Sequence, residues 1–137
     1  MEDRKEYLFK ETAMIQDIIK RMASNSFMIK GWTLTLVVAT LLLKGENKYQ
    51  VLIAYIPLLV FWFLDAYFLQ QERLYRKLYN WVIQNRLKSD EYILDMNAYR
   101  FKNDVQSLDR TMSSVTLAWF YGSIMGIVLL YTIILFS

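Results

Sequence analysis

Neither cysteine nor histidine occurs among the 137 residues. Thiol nucleophiles, disulfides, Cys or His metal sites and imidazole acid–base chemistry are therefore excluded, and nothing testifies to an oxidising compartment. The usual side chain for sensing pH near neutrality is missing as well. Helix breakers are scarce: Pro57 is the one proline, and Gly31, Gly45, Gly122 and Gly126 are the four glycines. A chain so poor in breakers reads as helical over most of its length. Charge is also absent from the whole closing stretch, Thr111 to Ser137.

As a helix that uncharged stretch is about 40 Å long, enough to cross a hydrocarbon core of about 30 Å. Hydrophobic residues make up 55% of the chain and charged ones still 21%. The combination predicts membrane spans joined to a sizeable aqueous portion. The formal charge of +3 is modest and reports orientation, and no nucleic-acid partner is expected. The opening Met1-Glu2-Asp3-Arg4-Lys5-Glu6 lacks the apolar stretch of a cleavable signal, so the first span is expected to act as the membrane signal itself.

Two further apolar runs, Gly31 to Leu43 and Val51 to Leu64, are each short for a span. Extended to 22–43 and 49–69 they suffice, at the cost of including Lys30 and Asp65. Lys44-Gly45-Glu46-Asn47-Lys48 between them reads as a tight hairpin loop with glycine just past the first helix. Pro57 predicts a kink in the second span. Five Lys/Arg lie up to Arg21, eight between Gln70 and Arg110, and two in the hairpin loop. The positive-inside rule therefore puts the N-terminus and residues 70–110 in the cytoplasm, and the loop and C-terminus outside. Trp32, Trp62 and Trp119 fall toward the inner half, Tyr49 and Tyr131 toward the outer.

The expected architecture is all-α: a helical integral membrane protein with three transmembrane helices and long cytoplasmic helical extensions of the first and second. Residues 1–21 form an amphipathic helix whose stripe, Tyr7, Leu8, Glu11, Met14, Ile15, Ile18, Ile19 and Met22, runs directly into the first span. Leu74, Tyr75, Leu78, Tyr79 and Val82 continue the second through about Leu87, and Ser89-Asp90-Glu91 reads as a stop and N-cap. The cytoplasmic segment 70–110 then leads to a third span over 111–137.

Three groups of residues stand out. Measured back from Lys44 and forward from Lys48, Lys30 and Asp65 each lie roughly 21–25 Å from the outer loop. They are matched in depth on adjacent antiparallel helices. A lone charge at the bilayer centre costs about 3 kcal/mol or more, so the two are natural partners. They serve as a switch at the inner mouth of a conduit, as a structural clip, or as a snorkelling lysine beside a solvated acid. Ser24, Asn25 and Ser26 surround the same level. Secondly, Ser114, Ala118, Gly122 and Gly126 recur every four residues on the third span. Such a small-residue face lets helix backbones approach closely, between chains or within one. Gly31, Thr35 and Ala39 make a shorter ladder on the first span.

The third group mixes cations with rings from Glu72 to Lys102. Arg73, Arg76, Lys77, Tyr79, Arg86, Arg100 and Lys102 are its candidate contacts for lipid headgroups or a nucleotide-like ligand. Helix packing explains part of the same composition, and no Gly-rich phosphate loop is present. No nucleophile–base pair or metal cluster appears, and the acids Asp90, Glu91, Asp95, Asp104 and Asp109 read as solvated charges and caps. An enzyme is not expected, nor a cofactor.

Several stretches together resemble an uncharacterised family of small bacterial multi-pass membrane proteins. They are Arg21-Met-Ala-Ser-Asn-Ser-Phe, Lys30-Gly-Trp, Phe61-Trp-Phe-Leu-Asp65-Ala-Tyr, Glu72-Arg-Leu-Tyr-Arg76-Lys-Leu-Tyr, Asp95-Met-Asn and Phe120-Tyr-Gly122. The resemblance implies the bacterial inner membrane and a link to antiviral-defence islands, and carries no functional residues with it. The expected function is a small homo-oligomeric effector that perturbs the membrane on a cytoplasmic signal. Its partners are the lipid bilayer, further copies of itself, and a cytoplasmic signalling protein or nucleotide-like ligand. The alternatives are an anchor that recruits a soluble partner through Leu74 to Lys102, and a channel or transporter subunit.

Overall fold

In a computed structural model, which describes residues 2–43 and 48–137, the chain is helical throughout its regular structure. Helix α1 (Glu2–Leu42) is a single helix of 41 residues, about 60 Å long, with no proline to interrupt it. A 3-10 helix, Lys48–Ala54, leads into α2 (Tyr55–Asn85), which runs antiparallel to α1 for 31 residues. A turn-rich stretch and a second 3-10 helix, Ala98–Asp104, follow. The short α3 (Leu108–Met112) then precedes α4 (Val115–Phe136). Three helices, α1, α2 with its 3-10 lead, and α4, are long and apolar enough to cross a membrane.

Two apolar clusters hold these elements together. One lies in a polar head built from the start of α1, the end of α2 and the chain that follows, where Ile15 meets Leu74, Leu78, Val82 and Ala98. The spacing of the α2 residues, every four, is what a 3.6-residue turn needs to keep one face inward. In water, burying each of these large side chains stabilises the fold by about 1.5–3 kcal/mol. The other cluster joins Val37, Leu58, Ala66, Leu117, Tyr121, Ile124 and Val128 of the three candidate spans.

The head contains a fully buried ion pair. Arg86, immediately after α2, directs its guanidinium fork at Glu11 of α1, with Nε to Oε2 at 2.7 Å and Nη2 to Oε1 at 3.1 Å. Its third nitrogen, Nη1, donates to the Ser89 carbonyl at 2.8 Å, and the Leu94 N–H donates to Glu11 Oε1 at 2.6 Å. One carboxylate thereby fixes α1, the end of α2 and the chain that follows α2. Tyr92 and Leu94 sit at φ 60° and 56°, a left-handed backbone that costs about 1–2 kcal/mol per residue. The Leu94 bond to Glu11 holds that conformation. Beside it, the Arg100 guanidinium stacks 3.9 Å from the Tyr92 ring centroid and 4.9 Å from that of Trp81. At the surface, Arg4 bonds Asp90 at 2.9 Å and holds the Asp90 carboxyl below the usual carboxylate range, chiefly through that hydrogen bond.

Several boundaries differ from the sequence expectation. The hairpin loop expected at 44–48, with Gly45 at its helix end, falls mostly on Lys44–Asn47, outside the described residues. Pro57 is the third residue of α2, where the 3-10 lead passes into α-helix, and it lies inside the candidate span Val51–Asn85. Ser89 accepts from the Glu91 N–H in a turn and starts no helix; the starting cap is Asn97, whose side chain accepts from the Tyr99 N–H at 3.1 Å. Thr111 and Met112 belong to α3, so the third candidate span begins at Val115, after a break at Ser113–Ser114.

Truncating Arg86 leaves the Glu11 carboxylate buried and unpaired. Arg86→Ala should lower stability by about 3–5 kcal/mol. Glu11→Leu/Arg86→Met, which removes both charges, should recover a large part of that loss. Thermal unfolding of the three proteins in one detergent checks both statements.

Candidate functional site

Lys30 and Asp65 meet as their matched depth implied, with Lys30 Nζ donating to Asp65 Oδ2 at 2.6 Å. They are only half of the arrangement. Asp65 has no exposed surface, and its other oxygen accepts from the Ser26 hydroxyl. Ser26 Oγ in turn accepts from Lys30 Nζ at 3.0 Å, which its position one helical turn before Lys30 makes natural. From α4, the Tyr121 hydroxyl donates to Asp65 Oδ2 at 2.8 Å. A single carboxylate on α2 therefore collects donors from α1 and α4, binding all three candidate spans at one level.

The surroundings hold the donors in place. The Tyr121 ring stacks on Trp62 at 5.7 Å between centroids, and Phe120 meets it edge-on at 4.9 Å. Lys30 Nζ lies 5.8 Å from the Phe120 ring centroid, a cation–π approach. Trp62 Nε1 donates to the Met112 carbonyl at 2.9 Å, anchoring the α3 end one level closer to the head. The Lys30 side chain keeps 21% of its surface exposed, whereas that of Asp65 keeps none. The node thus presents its cation outward and its anion inward. Such an arrangement holds three helices in one register.

Tyr121 went unnoticed in the sequence, although the depth argument reaches it. Along α4 it stands about 22 Å from Phe136, the same depth as Lys30 and Asp65. Asn25, expected at this level, makes no bond to Asp65. Glu11 was likewise passed over, absorbed into an apolar stripe in which it was the one charge.

The glycine part of the small-residue face is left open inside the chain. Gly122 and Gly126 are exposed, and a methyl group added at either would meet nothing within 4 Å. Ala118 is half-buried, and Ser114 precedes α4 as its N-cap residue, not as part of the ladder's helix. Gly31 and Thr35 of the α1 ladder are exposed too, so neither ladder receives the other.

The cationic candidates divide. Arg73, Arg76 and Lys77 gather around one hollow of about 410 Å³, closed on its far side by Asp104, Val105 and Gln106. Tyr79 lines a neighbouring hollow with Arg76 and Lys20, and its hydroxyl accepts from Gln16 Nε2 at 3.2 Å. Lys102 is exposed. Arg86 and Arg100 are not free for ligand or lipid: Arg86 is consumed by Glu11, and Arg100 is stacked among rings. Their candidacy as lipid or ligand contacts rests on composition, which does not show which face of a helix end a side chain occupies.

Removing one donor from the node should cost less than removing a charge. Tyr121→Phe is expected to lower stability by about 1.5–3 kcal/mol, the worth of a hydrogen bond to a charged group. Lys30→Met should cost about 3 kcal/mol or more, because Asp65 stays behind uncompensated. Lys30→Met/Asp65→Leu should melt above Lys30→Met in the same detergent. Melting temperatures of the set, with Asp65→Leu added to complete a double-mutant cycle, decide the ranking.

Comparison with protein-family models, curated proteins and solved structures finds no match for this chain.

Proposed function

We propose that this protein is a small homo-oligomeric effector of the bacterial inner membrane, with its head and N-terminus in the cytoplasm and its C-terminus outside. It assembles through the Ala118–Gly122–Gly126 face of α4 and perturbs or permeabilises the bilayer when the head receives a signal, in a role suited to antiphage defence. The orientation rests on the eight and five cations flanking the polar side against two in the loop. The observation that carries the reading is the Lys30–Asp65–Tyr121–Ser26 node, set where two unbroken helices pass from the head into the apolar layer. A displacement of the head moves α1 and α2 as levers, and the joint converts it into a change of helix arrangement. The open glycine face supplies a surface on which neighbouring copies can close.

A second reading, a membrane anchor for a soluble partner, draws support from apolar side chains that the head leaves exposed. Ile83, Leu94 and Tyr99 have 47%, 43% and 58% of their surface free. An anchor predicts a co-purifying protein and no ion leak. The effector predicts the opposite on expression: collapse of membrane potential, and a cross-linked ladder larger than one chain. Gly122→Leu/Gly126→Leu should abolish both while leaving the protein in the membrane. Should that variant assemble and depolarise as well as wild type, the function assigned to the α4 face is wrong.

A further inference from the structure

The hollow beside Arg73 is more than a cluster of cations. We propose that Arg73, Arg76 and Lys77 form a binding site for the phosphate of an anionic lipid headgroup in the leaflet next to the head. The proposal rests on the reading that α1, α2 and α4 cross the bilayer.

Helical spacing produces the site. Residues 73, 76, 77 and 80 share one face of α2, so two guanidinium groups, an ammonium and the Asn80 amide line the same volume. That volume, about 410 Å³, falls within the ~300–1,000 Å³ usual for small-molecule sites. Its opposite wall is held in place. Gln70 Nε2 donates to the Gln106 carbonyl at 3.3 Å, and Arg73 Nη1 donates to Gln106 Oε1 at 3.2 Å.

The donors are positioned but not exhausted. Arg76 Nη2 bonds Glu72 at 2.9 Å, one turn back on its own helix. With one N–H of Arg73 given to Gln106, each guanidinium keeps most of its five donors for a phosphate fork. Lys77 has no ion-pair partner among the described residues. Against these three cations the lining sets one acid, Asp104, so the hollow keeps a positive excess.

Depth selects the source of the phosphate. Arg73 to Lys77 lie about 33–39 Å beyond Val51 along the helix. A hydrocarbon core of about 30 Å ends before them and the headgroup layer extends past it. The 22 residues of α4 give the same answer from the other direction: about 32 Å separates Phe136 from Val115, and the Asp104–Gln106 wall comes just before that helix and α3. A phosphate in this hollow is therefore at the level where lipid phosphates already are.

The test uses the full chain, reconstituted in phosphatidylcholine nanodiscs doped with phosphatidylglycerol and then released for native mass spectrometry. Wild type should retain phosphatidylglycerol in preference to phosphatidylcholine. Arg73→Gln/Arg76→Gln/Lys77→Gln should bind it on the order of 100-fold more weakly, from about fivefold for each basic residue lost near an anionic surface. Arg76→Gln/Lys77→Gln, which alters only two exposed side chains, should lose on the order of 30-fold and guards against misfolding of the triple variant. Equal retention by wild type and either variant overturns the site. A wild type stabilised by inorganic phosphate in detergent as strongly as by phosphatidylglycerol overturns the lipid assignment in favour of a soluble anion. Resistance to an alkaline carbonate wash is measured in parallel. Protein that stays in the membrane without lipid preference sinks only this proposal, whereas protein that washes off sinks the three-span reading as well.

Discussion

A carboxylate with no exposed surface has to find its hydrogen bonds inside the protein, and Asp65 finds them on two other helices. That requirement sets the register of the whole bundle. Sliding α1 by one turn, about 5.4 Å, would break the present pairing, since Ser26 and Lys30 contact Asp65 from adjacent turns of one face and only one of them could stay level with it. Rotating α4 would withdraw the Tyr121 hydroxyl while leaving apolar contacts much as they were. Apolar packing tolerates many nearly equivalent arrangements of three greasy helices; the charge tolerates one.

Glu11 and Arg86 repeat the device at the other end of the same helix pair. From that pin to the Lys30–Asp65 pin, about 30 Å of antiparallel contact is fastened at both ends. Between them Ile15, Leu74, Leu78 and Val82 fill the interface. A two-helix arm fixed in this way does not shear easily. Breaking either charged contact costs several kcal/mol for an uncompensated buried ion.

Much of this plan was legible in the sequence. Three long apolar segments, the helical continuation of the first two beyond them, and the Lys30–Asp65 match follow from length, periodicity and the fixed rise of a helix. What escaped was whatever depends on azimuth. Arg86 and Arg76 look alike as letters in a basic helix. One faces Glu11 inside the head and the other faces outward, and the difference is the rotation accumulated between them, further altered because Arg86 ends the helix. Glu11 was hidden by its neighbours, since an apolar stripe with one acid still scores as apolar. The start of the second α-helix is a different case: the 3-10 lead from Lys48 to Ala54 moves that start inward to Tyr55, two residues before Pro57.

How α4 is attached says most about what is left over. In lipid a contact between apolar side chains gains little over contact with acyl chains, so directional bonds and close packing carry the association. Helix α4 and its approach are bonded to α2 and its lead at three depths: Trp62 to the Met112 carbonyl at 2.9 Å, Tyr121 to Asp65 at 2.8 Å, and Tyr55 with Thr132 at 3.0 Å. Tyr121 and Thr132 lie on the side of α4 that also buries Leu117, Ile124 and Val128. Gly122 and Gly126 lie away from that side, and a helix whose fixed face is already satisfied gains nothing within the chain from glycine on the free one. There they sacrifice helix propensity, roughly 1 kcal/mol each relative to alanine, with no contact in the single chain to offset it.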